Sequence, residues 1–356
     1  MWIASLLTSG AASFGRILIV GLLPNAVTVV FVWLLLRAQS FAGSSDWRPL
    51  IPADLRTDIV QVLLALLVIT LLTVLVQPFQ VRMIRLLEGY WEGWWLTAQL
   101  APVLVEYQTR KTEALAARIN RLEDELDRLE SRPRAETLQE QRRRQRIASR
   151  VVSAQRRAMA KLERYPRKKE SGQAQIPLLP TALGNALRAG ETSAGERYGL
   201  NTLSSWPRLY PLLSDKLSSV QASARDSLDA AANFCINFFL VFVIAVVALA
   251  DEPKAYWIPA LALVLCCMSY VGAVAAAVTF TTYIRVAYDL HRFDLLKAMH
   301  HKLPDTASAE YDQFAQLSEF FRGDSVDGII DGLAMYTFGS RGYEHPRESP
   351  GPTPSP

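Results

Sequence analysis

The amino-acid sequence predicts an all-α integral membrane protein with four transmembrane helices and a cytoplasmic helical domain that includes a coiled-coil-like segment. Three observations carry this. Half of the residues are hydrophobic and only 20% are charged, with a mean hydropathy of +0.12, which is too apolar for an ordinary soluble chain. Four stretches, Ile17–Leu36, Ile59–Val81, Ala230–Ala250 and Ala255–Ile284, hold no Asp, Glu, Lys, Arg or His over 20, 23, 21 and 30 residues. A bilayer core is crossed by about 20 apolar residues in a helix. Finally, the net charge of +4 conceals a segment, 142–169, in which twelve Lys and Arg face only Glu163, for a local +11 against −7 elsewhere.

The first stretch contains Pro24 and Asn25 near its middle. Proline there frees a backbone carbonyl and kinks the helix, so a polar side chain must satisfy what is lost. Asn25 either fills that need or bonds across to another span. A secretory signal would need a cationic start, and Met1–Gly15 has no basic residue, so this span is expected to be retained; Ser40-Phe41-Ala42 is the alternative cleavage site. The second stretch runs into Tyr90, Trp91, Trp94 and Trp95. Three tryptophans on one helical face predict that Leu86–Leu96 continues as a helix at the headgroup level.

Leu115, Ile119, Leu122, Leu126 and Leu129 are spaced 4, 3, 4, 3, the apolar seam of a coiled coil. Pro133 ends it after little more than two heptads, so an antiparallel hairpin with Ala135–Leu162 is expected, through Leu138, Ile147, Val151 and Met159; pairing between chains is the alternative. Lys161–Pro180 is rich in Pro and basic residues and reads as a linker. A short helix is expected over Thr181–Arg188, ending near Gly190, then a loop to Gly199 and a short element punctuated by Pro207 and Pro211. From Ser214 one helix is expected to pass into the third span. The fourth stretch exceeds a bilayer core, and its embedded part is placed near Leu261–Tyr283, with Ser269, Ala273, Ala277 and Thr281 forming a small-residue stripe for close helix approach. The chain thus divides into 1–100 (two spans and an interfacial helix), 101–165 (basic arm), 166–213 (linker and juxtamembrane segment), 214–300 (two spans), 301–340 (helical segment) and 341–356 (a Pro- and Ser-rich tail without structure).

Lys and Arg near the span ends number nine on one side and four on the other. The positive-inside rule then places both termini and the +11 segment in the cytoplasm, with the protein in the plasma (inner) membrane.

No motif for catalysis is present: no phosphate-binding glycine loop, nucleophile elbow, zinc-protease histidine pair or calcium loop. Asp324, Asp327 and Asp331 lack calcium-loop spacing, and His291, His300 and His301 do not converge on one helical face. Cys235, Cys266 and Cys267 lie in apolar stretches with no metal-ligand spacing. No enzyme, metal or cofactor is expected. No span carries a charged residue, which argues against ion-coupled transport; a multi-copy pore would have to use neutral groups such as Asn25, Asn233, Asn237, Thr279 and Thr282, which otherwise serve helix–helix bonding. Arg142, Arg143, Arg144, Arg146, Arg150, Arg156, Arg157, Arg167, Lys168 and Lys169 are expected to contact anionic lipid or a cytoplasmic protein partner. Nucleic acid is disfavoured, because no stacking aromatics are interleaved with the charges. Self-association of the spans into a homo-oligomer is expected.

The strings Leu87-Glu88-Gly89-Tyr90-Trp91, Leu183-Gly184-Asn185-Ala186-Leu187-Arg188, Arg197-Tyr198-Gly199-Leu200, Trp206-Pro207-Arg208-Leu209-Tyr210-Pro211 and Tyr288-Asp289-Leu290-His291-Arg292-Phe293-Asp294-Leu295-Leu296 resemble those of a family of actinobacterial multi-pass membrane proteins. The resemblance covers the membrane core and juxtamembrane segments and carries no transferable activity. It directs attention to those segments, where Arg188, Arg197, Tyr198, Arg208 and Arg292 are candidates for an anion-binding floor. The function expected is a non-enzymatic membrane-anchored scaffold or sensor, with a channel-like or membrane-perturbing effector as the alternative.

Overall fold

The computed structural model describes residues 15–16, 18–41, 55–91, 95–131, 137–167 and 176–322. Among them there is no strand. The helices are α1 (Leu23–Arg37, preceded by a π-helical turn, Leu18–Leu22), α2 (Leu55–Val76), α3 (Gln80–Glu88), α4 (Trp95–Glu130), α5 (Leu138–Leu162), α6 (Ala182–Ser193), α7 (Thr202–Leu209), α8 (Asp215–Ala248), α9 (Trp257–Ala298) and α10 (Ala307–Arg322). Among the described residues four helical segments are long and apolar enough to cross a membrane: Leu18–Arg37, Leu63–Glu88, Asp215–Ala248 and Pro253–Ala298. The chain forms two compact units, one of residues 1–189 and 220–281, the other of residues 190–219 and 282–356.

In the first unit α2 from Leu63 onward carries no charged residue and exposes Leu63, Leu64, Leu67, Leu71, Val74 and Leu75, the pattern of a helix whose solvent is lipid. α1 and α8 run parallel, since Arg16 pairs with Asp226 (2.7 Å), Val20 meets Asn233, Asn25 meets Asn237, and Leu35 packs with Ala245, Ala248 and Leu249. The first and third spans therefore begin on the same side of the bundle. α9 returns alongside α8, with Cys266 against Cys235 and Phe280 beneath the Arg225 guanidinium. Ala273, Ala277 and Thr281 of the small-residue stripe are buried and Ser269 half-buried.

The second span bends at Gln77–Phe79 into α3, and there the structure departs from the expected continuous helix over Leu86–Leu96. Gly89 closes α3 at φ 94°, with its N–H on the Arg85 carbonyl (3.1 Å). Only glycine enters that left-handed conformation without strain.

α4 and α5 pack along one another as the arm. The seam residues Leu115, Ile119, Leu122, Leu126 and Leu129 are buried or half-buried. On α5 the facing positions include Ile147, Val151 and Ala158, whereas Leu138 (74% exposed) and Met159 (41%) point outward, contrary to the expected seam. Ala158, one residue before Met159 and so turned about 100° from it, takes the buried position. Thr137 caps α5 by accepting the Glu140 N–H (3.2 Å), and such caps contribute about 1 kcal/mol.

The expected stop of α6 near Gly190 is also displaced, to Ser193. Burial of Ala186, Leu187, Ala189 and Ala194 outweighs the roughly 1 kcal/mol helix penalty of one glycine. In the second unit Tyr288 is fully buried, and its hydroxyl meets Ser205 Oγ (2.8 Å) and donates to the Thr202 carbonyl (3.1 Å). The same unit also buries Leu200, Leu209, Leu295, Leu296, Phe314 and Leu317, and the Trp206 ring lies 6.1 Å from that of Tyr288. α10 approaches Gly199 (φ 83°) so closely that a Cβ there would sit 2.5 Å from the Tyr311 carbonyl oxygen.

Candidate functional site

The strongest concentration of polar groups within the spans is built from three helices of the first unit. Pro24 cannot donate to the carbonyl four residues back, Val20, and the structure supplies that donor from α8: Asn233 Nδ2 reaches the Val20 oxygen at 2.7 Å. Asn25 instead bonds outward, donating to Thr73 Oγ1 on α2 (3.1 Å) and accepting from Asn237 Nδ2 (3.4 Å). Thr28 Oγ1 donates to Asn237 Oδ1 (2.6 Å), and Asn237 Nδ2 also reaches the Asn233 carbonyl (2.9 Å). α1 can come this close to α2 because Gly21 has no side chain: a Cβ there would stand 2.8 Å from Thr73 Cγ2. Asn25 and Asn237 are 8% and 7% exposed, so this cluster is interior to the helix bundle. Thr279 and Thr282 do not join it; both are exposed, and Thr279 bonds the Ala275 carbonyl of its own helix.

A second set of contacts ties the arm and α6 to the spans. Thr181 caps α6 at Gly184 N (3.1 Å) while donating to the Glu88 carbonyl (2.7 Å), and a Cβ on Gly184 would fall 2.0 Å from that same oxygen. Tyr270 of the fourth span accepts the Ala182 and Leu183 N–H groups at 3.1 and 3.2 Å, satisfying donors that a helix start leaves open. Asn185, fully buried, clamps Leu179 through both its N–H and its carbonyl (2.8 and 2.7 Å). Gln108 of α4 donates to the Pro180 carbonyl (3.3 Å) and accepts from Tyr165 OH (2.9 Å), which fixes the base of the arm. Arg188 lies over the Tyr90 ring, 5.7 Å from its centroid, and donates to the Pro177 carbonyl.

The other members of the candidate anion floor lie in the second unit. Arg197 pairs with Asp289 (3.2 Å), and Tyr198 OH donates to the same carboxylate oxygen (2.7 Å). Arg292 stacks over Tyr198 (4.2 Å) and bonds Glu310 (2.7 Å). Arg208 covers Phe321 (4.2 Å) and donates to the Ser204 carbonyl. The structure thus brings Arg197, Tyr198 and Arg292 together, but with two carboxylates as their acceptors, and it turns Arg208 to a different neighbour. Burial, and then the Asp289 carboxylate, push the Tyr198 phenol above its ordinary value of 10.0, so it remains a neutral donor. His291 is held by Asp294 (2.9 Å).

On the arm, Arg142, Arg143, Arg146, Arg150, Arg156, Arg157 and Arg167 are exposed, and Arg144 pairs with Glu140 (2.9 Å). Lys168 and Lys169, and Asp324, Asp327 and Asp331, lie outside the described residues. Thr28, Thr73, Gln108 and Tyr270 were not singled out by the sequence. One signal for Tyr270 was available: a phenol inside an uncharged stretch must find a hydrogen-bond partner.

The fold and these contacts define a helical protein of the four-span membrane class. No protein-family model, curated protein or solved structure matches the chain.

Proposed function

We propose that the chain is a membrane-anchored scaffold or sensor whose basic arm faces the cytoplasm and binds the anionic surface of the bilayer, and that it acts without catalysis. The observation that carries this reading is the exposure of eight arginines along and just beyond α5, Arg164 among them, beside an arm whose base is anchored, through Gln108 and Pro180, to the segment held by the spans. Each cation near an anionic surface contributes about 1 kcal/mol at low salt, enough in sum to hold the arm there. The intramembrane amides favour anchoring over conduction, because Asn25, Asn233 and Asn237 already bond one another, Val20, Thr28 and Thr73 within a single chain.

The test uses full-length protein in neutral-lipid nanodiscs, mixed with sedimentable vesicles. Association is expected with anionic vesicles at low salt, lost at high salt and lost when Arg142, Arg143, Arg146 and Arg150 become Gln. Equal association with neutral vesicles would reject the reading. The channel alternative predicts currents from the reconstituted protein that Asn233→Leu and Asn237→Leu abolish; a silent bilayer is expected here.

A further inference from the structure

The chain has three cysteines, and the fold brings two of them together. Cys235 on α8 and Cys266 on α9 place their sulfurs 3.7 Å apart, although 31 residues separate them in sequence. Both are free cysteines; Cys235 is buried, Cys266 half-buried, and Cys267 exposed. The bonded distance is about 2.05 Å, so the two sulfurs have to close the remaining gap before a disulfide forms. On α8, Cys235 lies two residues from both Asn233 and Asn237, which at about 100° per residue turns it to the opposite side of the helix. The third span is therefore held to the first by amides and meets the fourth through thiols. One turn beyond Cys266 on the same face of α9 stands Tyr270, which carries the start of α6.

The surroundings select the reagent that reaches this pair. Leu263, three residues before Cys266 and on its side of α9, is exposed and apolar, and so is the neighbouring Cys267, so the phase beside Cys266 is hydrocarbon. Water-soluble disulfides and peroxides partition poorly into it.

We propose that Cys235 and Cys266 form an intramembrane dithiol–disulfide couple whose electron acceptor is a lipid-soluble quinone. Two S–H bonds break and one S–S bond forms; the two electrons and two protons pass to the quinone oxygens, giving the hydroquinone. The product is a covalent link between the third and fourth spans, one turn from the tyrosine that anchors α6. It fixes the register of α9 against α8 and so the anchor point of the segment to which the arm is tied.

The experiment exposes the full-length protein, reconstituted in vesicles, to duroquinone, whose ring positions are blocked against thiol addition. After denaturation, two of three thiols are expected to resist maleimide, with a mass loss of two hydrogens, a linked peptide pair containing Cys235 and Cys266, and reversal by phosphine. Cys267→Ser should leave the reaction intact, and Cys266→Ser should abolish it. Three reactive thiols after a treatment that oxidises a lipid-anchored dithiol in the same vesicles would overturn the proposal. So would a link through Cys267 or between chains.

Discussion

The amide cluster of the spans and the charged cluster of the second unit solve the same problem in different solvents. Both join segments distant in sequence through side-chain hydrogen bonds, and both lean on an aromatic or glycine contact to bring backbones close. The first uses only neutral groups: Asn25, Thr28, Thr73, Asn233 and Asn237. The second uses Arg197, Asp289, Arg292 and Glu310 around Tyr198. In hydrocarbon an ionised group loses hydration that no neighbour fully replaces, whereas an amide can be satisfied by one or two partners. Where water is near, charges are tolerated and gain from pairing, so the same architectural task is given to salt bridges. What a polar residue can do in this molecule is set first by the medium and only then by its geometry.

One substitution applied in both regions tests this most sharply. Asn237→Asp places a carboxyl in the span cluster and is expected to cost about 3 kcal/mol, seen as lost membrane insertion or a collapse of the thermal midpoint in detergent. Asn201→Asp changes the residue that caps α7 by accepting the Ser204 N–H, a place where Asp serves as well as Asn, and should leave stability within about 0.5 kcal/mol. Comparable losses at the two sites would break the comparison.

The second unit offers an internal contrast of its own. Arg292 and Glu310 are 18% and 16% exposed, and Arg292→Gln should cost about 2 kcal/mol because it leaves a half-buried carboxylate unpaired. Arg197 and Asp289 are 61% and 40% exposed, so Arg197→Gln should cost less than about 1 kcal/mol and the effect should fade with salt. Denaturation of the two variants at low and high ionic strength checks both.

Returning to the spans, Asn237→Leu removes the acceptor for Thr28 and a donor to Asn25, and about 1 kcal/mol of stability should go with them. Combining it with Asn25→Leu should cost less than the sum, since the two share a bond. The smallest effect concerns pH. The Tyr198 phenol is raised in the fold, so its contribution is complete below the ordinary value of 10.0 and declines as pH rises above it. Tyr198→Phe should flatten that decline in an alkaline stability profile.

Much of this is legible in the sequence. The uncharged stretches mark the spans, the 4, 3, 4, 3 spacing marks the α4 seam, and Asn25, Asn233 and Asn237 stand out as polar residues in apolar surroundings. Their pairing did not stand out, because composition does not say which helix faces which. Asn25 was one candidate to repair the proline kink; Asn233, over two hundred residues away, does so instead. The break at Gly89 was hidden by a continuous aromatic and apolar pattern that a helix also satisfies. Met159 fitted the seam by spacing, yet the smaller Ala158 occupies it. Arg197 and Arg292 of the candidate anion floor are legible as cations, while the carboxylates that pair with them, Asp289 and Glu310, lie on other elements.

The chain by itself determined the solvent of each segment, since the cost of moving a charge into hydrocarbon is a property of the residue and needs no partner to be evaluated. The tertiary structure alone decided the partners: Asn233 on Val20, Tyr270 on the start of α6, Arg292 between Tyr198 and Glu310, Cys235 against Cys266. Hydrogen bonds and thiol contacts act over a few ångströms, and only the packing of helices far apart in sequence brings such groups within that range.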